Sequence, residues 1–449
     1  MDTNNSSTKY PKTLILGNPF NNKSGGGITM SNLFNGWPKD RLALATNANV
    51  YFEADFSICE NYYQLGFNGK LHPFPLNIVL PGVYCGPINK PLSNNSDNQT
   101  PAQVPGRYKK IYRVIMYILD FMGVFNFLYR IKITPEFKKW LTEFNPDIIY
   151  SQLASRSSIR FVSDVADVLN KPVALHFMDD WITFINRPGL LYLYWKKKID
   201  NEFKGLVERS SVLMSIGDAM SEEYNKRYKR EFIPFHNPID IGNWIPFSRT
   251  DWSNRERFTI LYAGRIGLGM KDSIIDTARV VHNLSSENGN LIFEIQTPDI
   301  MELDGKVSFN GNVKWVKPTS YAELPKKFST ADLLILPIDF DDISIRFLKY
   351  SFQTKISEYM ISGTPVLVYS PKETATAKYA LKAGWAYVVT ERNDLALANA
   401  ILELKSNSEL RKSLGQKAKQ LAVSNEDAVL VREKFRETLS VNASNHYKS

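Results

Sequence analysis

Residues 351–370, SFQTKISEYMISGTPVLVYS, constrain this chain more tightly than any other stretch. Lys355 and Glu358 stand three apart, so on a helix both project from one face. Met360 and Ile361 can then turn inward. Gly363 closes the helix, and Thr364-Pro365 makes the turn. Val366-Leu367-Val368-Tyr369 reads as a strand buried on both faces, as in a parallel sheet. A cation and a carboxylate at the mouth of such a helix-to-strand unit suit a ligand with both phosphates and a vicinal diol. The ammonium would meet phosphate oxygens and the carboxylate would accept from ribose hydroxyls. An i, i+3 ion pair on a solvated helix face is the plainer alternative.

The same alternation recurs along the chain. Short apolar runs at 13–17, 43–46, 147–150, 173–175 and 212–215 read as strands, with helices expected over 28–34, 134–143, 158–169, 190–208 and 218–228. After a proline-rich run ending at Pro246, a second series follows: strands at 258–262, 291–295, 307–309, 313–316, 331–337, 366–369 and 385–389. Alternating strands and helices are the mark of a doubly wound parallel sheet, and 449 residues suit two such domains. The boundaries expected are 1–245, 246–424 and a closing helical segment, 425–449. Residues 339–350 read as a loop.

Charge narrows the partners. The net charge is +9, and residues 107–140 carry eight cations against Asp120 and Glu136, a surplus of six. Such a patch suits nucleic acid, phospholipid headgroups or a phosphate-bearing acceptor. Within it, residues 111–129 are apolar and aromatic, fit to lie half-buried or against an anionic membrane surface. No apolar run approaches the roughly 20 residues that span a bilayer. Cys59 and Cys85 make no disulfide framework, and the start of the chain lacks the layout of a signal peptide, so a cytoplasmic setting is expected.

Three loops carry chemistry. Gly25-Gly26-Gly27 follows the first strand and opens a helix, a combination that lets backbone N–H groups approach an oxyanion; a flexible turn is the alternative. His176, Asp179 and Asp180 are expected just beyond the strand at 173–175, where open α/β sheets hold ligands. One histidine and two aspartates there are well placed to work on a ligand, and Asp180 as a helix cap is the alternative. Arg265 and Lys271 share the loop after the strand at 258–262 and suit a diphosphate, by bidentate and point-charge contacts.

The segment K-x-x-E-Y-M-x-S-G-T-P-V-L-V resembles the nucleotide-sugar site of GT-B glycosyltransferases, in particular the family 4-like (GT4) group. Gly264, Arg265 and Lys271 match that group's G-R-x5-K, and His236-Asn237-Pro238-Ile239-Asp240 is similar to its interdomain crossing. The group's Glu-x7-Glu is half present: Glu358 stands, but Tyr350 replaces the first Glu, with Thr354-Lys355 ahead of the helix instead. The resemblance implies two Rossmann-like domains facing a central cleft and sugar transfer from an NDP-sugar to a hydroxyl with retention. Gly26, Gly27, Arg265, Lys271 and Lys355 would hold the donor diphosphate and Glu358 the ribose, while His176 and one of Asp179 and Asp180, in a turn similar to the group's H-D-x-W, would position or deprotonate the acceptor hydroxyl. No metal or other cofactor is expected, lysine and arginine taking the place of Mg²⁺. The acceptor expected is a saccharide, free or lipid-linked, in cell-surface polysaccharide synthesis. The work would be done at the inner face of the cytoplasmic membrane, with no nucleic-acid partner. The rivals are a nucleotide-sugar 2-epimerase-like enzyme and a non-catalytic binding protein using the 107–140 patch.

Overall fold

The computed structural model describes residues 10–21, 25–66, 85–88, 114, 117–119, 121–123, 126, 130–183, 189–288, 290–309 and 311–445. Arg107, Lys109, Lys110 and Arg113 of the basic patch lie outside these residues, as do most of the apolar segment over 111–129 and Lys23-Ser24 of the glycine loop. The chain divides into two compact units, Met1–Phe235 with Arg432–Ser449, and His236–Val431.

The first unit is built on β1 (Thr13–Leu16), α1 (Gly25–Phe34), β2 (Leu42–Thr46), β3 (Tyr62–Gln64), β4 (Gly86–Ile88), α2 (Pro135–Phe144), β5 (Ile148–Ser151), α3 (Arg156–Leu169), β6 (Val173–Phe177), α4 (Tyr192–Arg209), β7 (Val212–Ser215), α5 (Asp218–Tyr228) and β8 (Ile233–Pro234). The strands run β4-β3-β2-β1-β5-β6-β7-β8, with only the β3–β4 pair antiparallel. Local chemistry sets the helix ends. Thr134 Oγ1 accepts from Phe137 N at 3.1 Å, and Pro135 sits in the first turn of α2. Asn145 and Asn170 end α2 and α3 in the left-handed region, at φ 46° and 48°.

The second unit contains β9 (Phe258–Ala263), α6 (Lys271–Asn288), β10 (Leu291–Gln296), β11 (Val313–Val316), α7 (Leu324–Thr330), β12 (Leu333–Pro337), α8 (Asp342–Leu348), α9 (Lys355–Ile361), β13 (Val366–Tyr369), α10 (Ala375–Ala383), β14 (Tyr387–Val389), α11 (Asp394–Ser406) and α12 (Ser408–Asn425). Its sheet is wholly parallel, in the order β11-β10-β9-β12-β13-β14. Successive residues face opposite layers. Ile260 and Tyr262 join one core, and Leu261 and Ala263 the other. Burial on both faces is why these strands read as continuous apolar runs. The last helix, α13 (Ala428–Asn445), contributes Phe435 to the first unit, edge-on to Phe34 at 5.1 Å and Phe235 at 5.3 Å.

Three local expectations change. Residues 307–309 form no strand. The loop expected over 339–350 contains α8, because Asp341 caps it by accepting from Ile343 N and Ser344 N, both at 3.0 Å. The run ending at Pro246 packs within the second unit, where Ile239 and Trp244 join the core, and the residues just after it follow: Ser248 Oγ donates to Ile361 O at 2.8 Å, and the Arg249 guanidinium binds Ala331 O and Asp332. The division between units therefore falls ten residues earlier, after Phe235. His236, in the run similar to the family's interdomain crossing, has Nδ1 2.5 Å from the buried Glu426 Oε2.

Candidate active site

In the second sheet β9 has β10 on one side and β12 on the other, so the winding reverses between β9 and β12. Ligands of doubly wound sheets bind beyond the carboxyl ends of the strands at such a point. Five of the residues singled out by sequence lie near it. Gly264 and Arg265 follow β9 directly, Lys271 opens α6, and Lys355 and Glu358 sit on α9.

Tyr262 organises this edge. Its hydroxyl donates to Arg265 O at 2.6 Å and accepts from Lys355 Nζ at 3.2 Å. The ammonium also stands over the Tyr262 ring, 4.4 Å from its centroid. Gly264 is required here. Its φ is +149°, and a Cβ would overlap the Lys355 Nζ. Burial draws the Lys355 ammonium down to about 8, the nearby Glu358 opposing. Burial likewise pushes the Glu358 carboxyl up to about 7, against a hydrogen bond from Tyr321 and the charge of Lys355. Glu358 is 9% exposed. Both groups are thus drawn toward neutrality, the carboxylate buried and the ammonium half-buried, without a full complement of partners. That is the condition of groups poised for a ligand.

The other two cations are paired differently. Arg265 is mostly exposed and meets Asp299 at 3.2 Å, while Asp299 also accepts from Ile266 N at 3.0 Å. Lys271 Nζ meets Glu302 at 2.8 Å. A diphosphate would have to compete with the half-buried Asp299 and the exposed Glu302. Exposed pairs are weak, about 0–1 kcal/mol each, and a diphosphate carries more charge than either.

In the first unit the expected trio separates. His176 lies inside β6, fully buried, not in the turn beyond it. Its Nδ1 is 2.8 Å from Tyr150 Oη and its Nε2 3.0 Å from Phe235 O. Burial lowers its pKa to about 4, so the ring stays neutral. With both nitrogens engaged inside the fold, the ring is not presented to deprotonate a ligand, one of the two roles expected of it. Asp180 is 2% exposed and pairs with Arg227 through both oxygens, at 2.8 and 3.1 Å, while Tyr224 Oη donates to it at 2.8 Å. That network ties α5 to the end of β6 and accounts for Asp180 structurally, so Asp180 too departs from the expected role. Asp179 is half-buried in the same turn. Gly26 and Gly27 open α1 as expected, and a Cβ on Gly27 would collide with the Asn21 carboxamide.

Tyr262 and Tyr321 were not anticipated. Tyr262 stands 93 residues from Lys355, and nothing in a buried apolar strand announces that its hydroxyl reaches a site.

Residues 300–421 match the family model described as glycosyl transferases group 1. No curated protein matches the chain. Among solved structures, sucrose-phosphate synthase from Thermosynechococcus elongatus is similar at 12% identity and a TM-score of 0.58, over 94% of this chain and 96% of its own. HepE from Anabaena, in complex with UDP-glucose, is similar at 13% identity and a TM-score of 0.55, over 96% and 99%. Alpha,alpha-trehalose 6-phosphate synthase from Burkholderia multivorans gives 11% and 0.57, over 98% of both chains. At these identities the likeness is one of fold. The chain has the α/β GT-B fold, with two Rossmann-like domains built on largely parallel sheets.

Proposed function

We propose that the protein transfers a sugar from a nucleotide-sugar donor to an acceptor hydroxyl. The observation that carries this reading is the Lys355–Glu358 pair, desolvated beside Tyr262 and Tyr321 at the switch point of the second sheet and inside the segment matched as glycosyl transferases group 1. Lys355, Arg265 and Lys271 would hold the diphosphate and stabilise the charge that grows on it as the sugar bond breaks. Glu358, once deprotonated, would accept from ribose hydroxyls. With three cations assigned to the diphosphate, transfer is proposed to proceed without a metal. HepE, whose complex contains UDP-glucose, makes a uridine nucleotide the first donor to try.

The finer reading is a GT4-type enzyme acting with retention, by same-face attack within an ion pair. With His176 and Asp180 committed to the fold, Asp179 is the carboxylate proposed to take the acceptor's proton. Trapping a glycosyl adduct on Asp179 or Asp180 would overturn same-face attack. The acceptor is proposed to be a saccharide of the cell surface, free or on a lipid carrier, met at the inner face of the cytoplasmic membrane. Failure of anionic vesicles to retain the protein would remove the membrane part. The decisive experiment is a thermal-shift screen across UDP-, GDP-, ADP- and TDP-sugars. One nucleotide class is expected to raise the melting temperature of the native protein and to lose that effect in Lys355→Met and Glu358→Gln. If no nucleotide sugar binds, the transferase reading falls.

A further inference from the structure

Gln152 follows β5 directly and is 7% exposed. Its amide nitrogen donates to Tyr150 Oη at 3.3 Å, while its amide oxygen is buried with no hydrogen-bond partner. A chain of bonds determines which end is which. The Phe235 carbonyl can only accept, so His176 Nε2 carries the proton. The ring is neutral, so Nδ1 accepts, and Tyr150 Oη donates to it. The tyrosine oxygen then has only lone pairs to offer, and the amide nitrogen must face it. The amide oxygen is thereby aimed at the start of α1. It lies 3.2 Å from the point a Cβ on Gly26 would occupy, with Asn18 Nδ2 and Met178 Cγ at 3.8 and 4.0 Å from that point.

This spot differs from a plain anion site. The N–H groups of Gly25 and Gly26, which open the ten-residue α1, point out of its N-terminus. Beside them stands an acceptor that would repel a phosphate oxygen. A group that donates and accepts at once satisfies both, and a sugar hydroxyl is such a group. The exposed Asn18 side chain can swing aside to admit it.

We propose that Gln152 Oε1 accepts a hydrogen bond from a saccharide hydroxyl at the N-terminus of α1, and that Tyr150 and His176 are positioning residues that hold the amide in that orientation. The proposal rests on the transferase reading and assigns Gly26 to the sugar acceptor where sequence reasoning assigned it to the diphosphate. The test follows nucleoside-diphosphate release from the donor sugar identified by thermal shift, with water alone and with a panel of methyl glycosides. One glycoside is expected to accelerate release by the native protein. Gln152→Leu should raise the KM for that glycoside about tenfold to a hundredfold with a much smaller change in kcat, because a site built to bind a hydroxyl discriminates on that bond. Tyr150→Phe, which frees the amide to turn over, should raise the same KM by a smaller factor. An unchanged KM in Gln152→Leu, a loss confined to kcat, or a native protein that no glycoside accelerates would each overturn the proposal. Nucleotide binding by the native protein separates the two failures. If it binds and the KM does not move, only this inference is lost; if it does not bind, both readings fall.

Discussion

Replacing Lys355 by methionine is expected to move two quantities in opposite directions. Burial draws this ammonium from 10.5 to about 8. At 1.36 kcal/mol per tenfold change in proton affinity, carrying the charge costs the folded state at most about 3 kcal/mol. The sign follows from the lowered value: the cost is complete below about pH 8 and fades as pH rises toward 10.5. Methionine keeps most of the stem against Tyr262 and removes the charge. Glu358 then loses a stabilising neighbour and takes up a proton, which offsets part of the gain. For a unit of this size the melting temperature of the nucleotide-free protein should rise by a few degrees. Nucleotide affinity should fall instead. A hydrogen bond to a charged group contributes about 1.5–3 kcal/mol, or roughly 10- to 150-fold in Kd. Thermal melting without nucleotide and calorimetric titration with UDP, or with the nucleotide found by screening, read both effects. A lower melting temperature with unchanged nucleotide affinity would refute the reasoning and make Lys355 a structural cation.

The same pair sets a pH window. Glu358 becomes an acceptor for ribose above about pH 7, and Lys355 loses its cation above about 8, so nucleotide affinity should peak between these values. Titration at several pH values checks this, and Lys355→Arg should remove the alkaline fall because arginine keeps its charge; a profile flat across both limbs would count against the assignment. Gly264→Ala should cost about 1–3 kcal/mol in urea denaturation, since the backbone at φ +149° is strained for alanine and the Cβ displaces Lys355. Nucleotide affinity should fall with it. Asp180→Asn breaks a bidentate pair with Arg227 whose arginine is partly exposed, so stability should drop by about 2 kcal/mol. A lost turnover with an unchanged urea midpoint would return Asp180 to catalysis.

Much of this protein was legible one segment at a time. Val366–Tyr369 and Val212–Ser215 are strands because short, largely apolar runs between turn signals can be buried on both faces. Gly264, Arg265 and Lys271 stand together because the chain itself joins them, and the link between Lys355 and Glu358 is one helical turn. Periodicity and spacing along the backbone carry such information, and it survives without a fold. Pairing across the sheet does not. That His176 is strand rather than turn, that Asp180 belongs to Arg227, and that Tyr150 orients Gln152 all depend on side chains brought together by strand order. The same holds for the charges. Lysine and glutamate titrate near neutrality here because the tertiary structure strips water from them while Tyr262 and Tyr321 remain as partners.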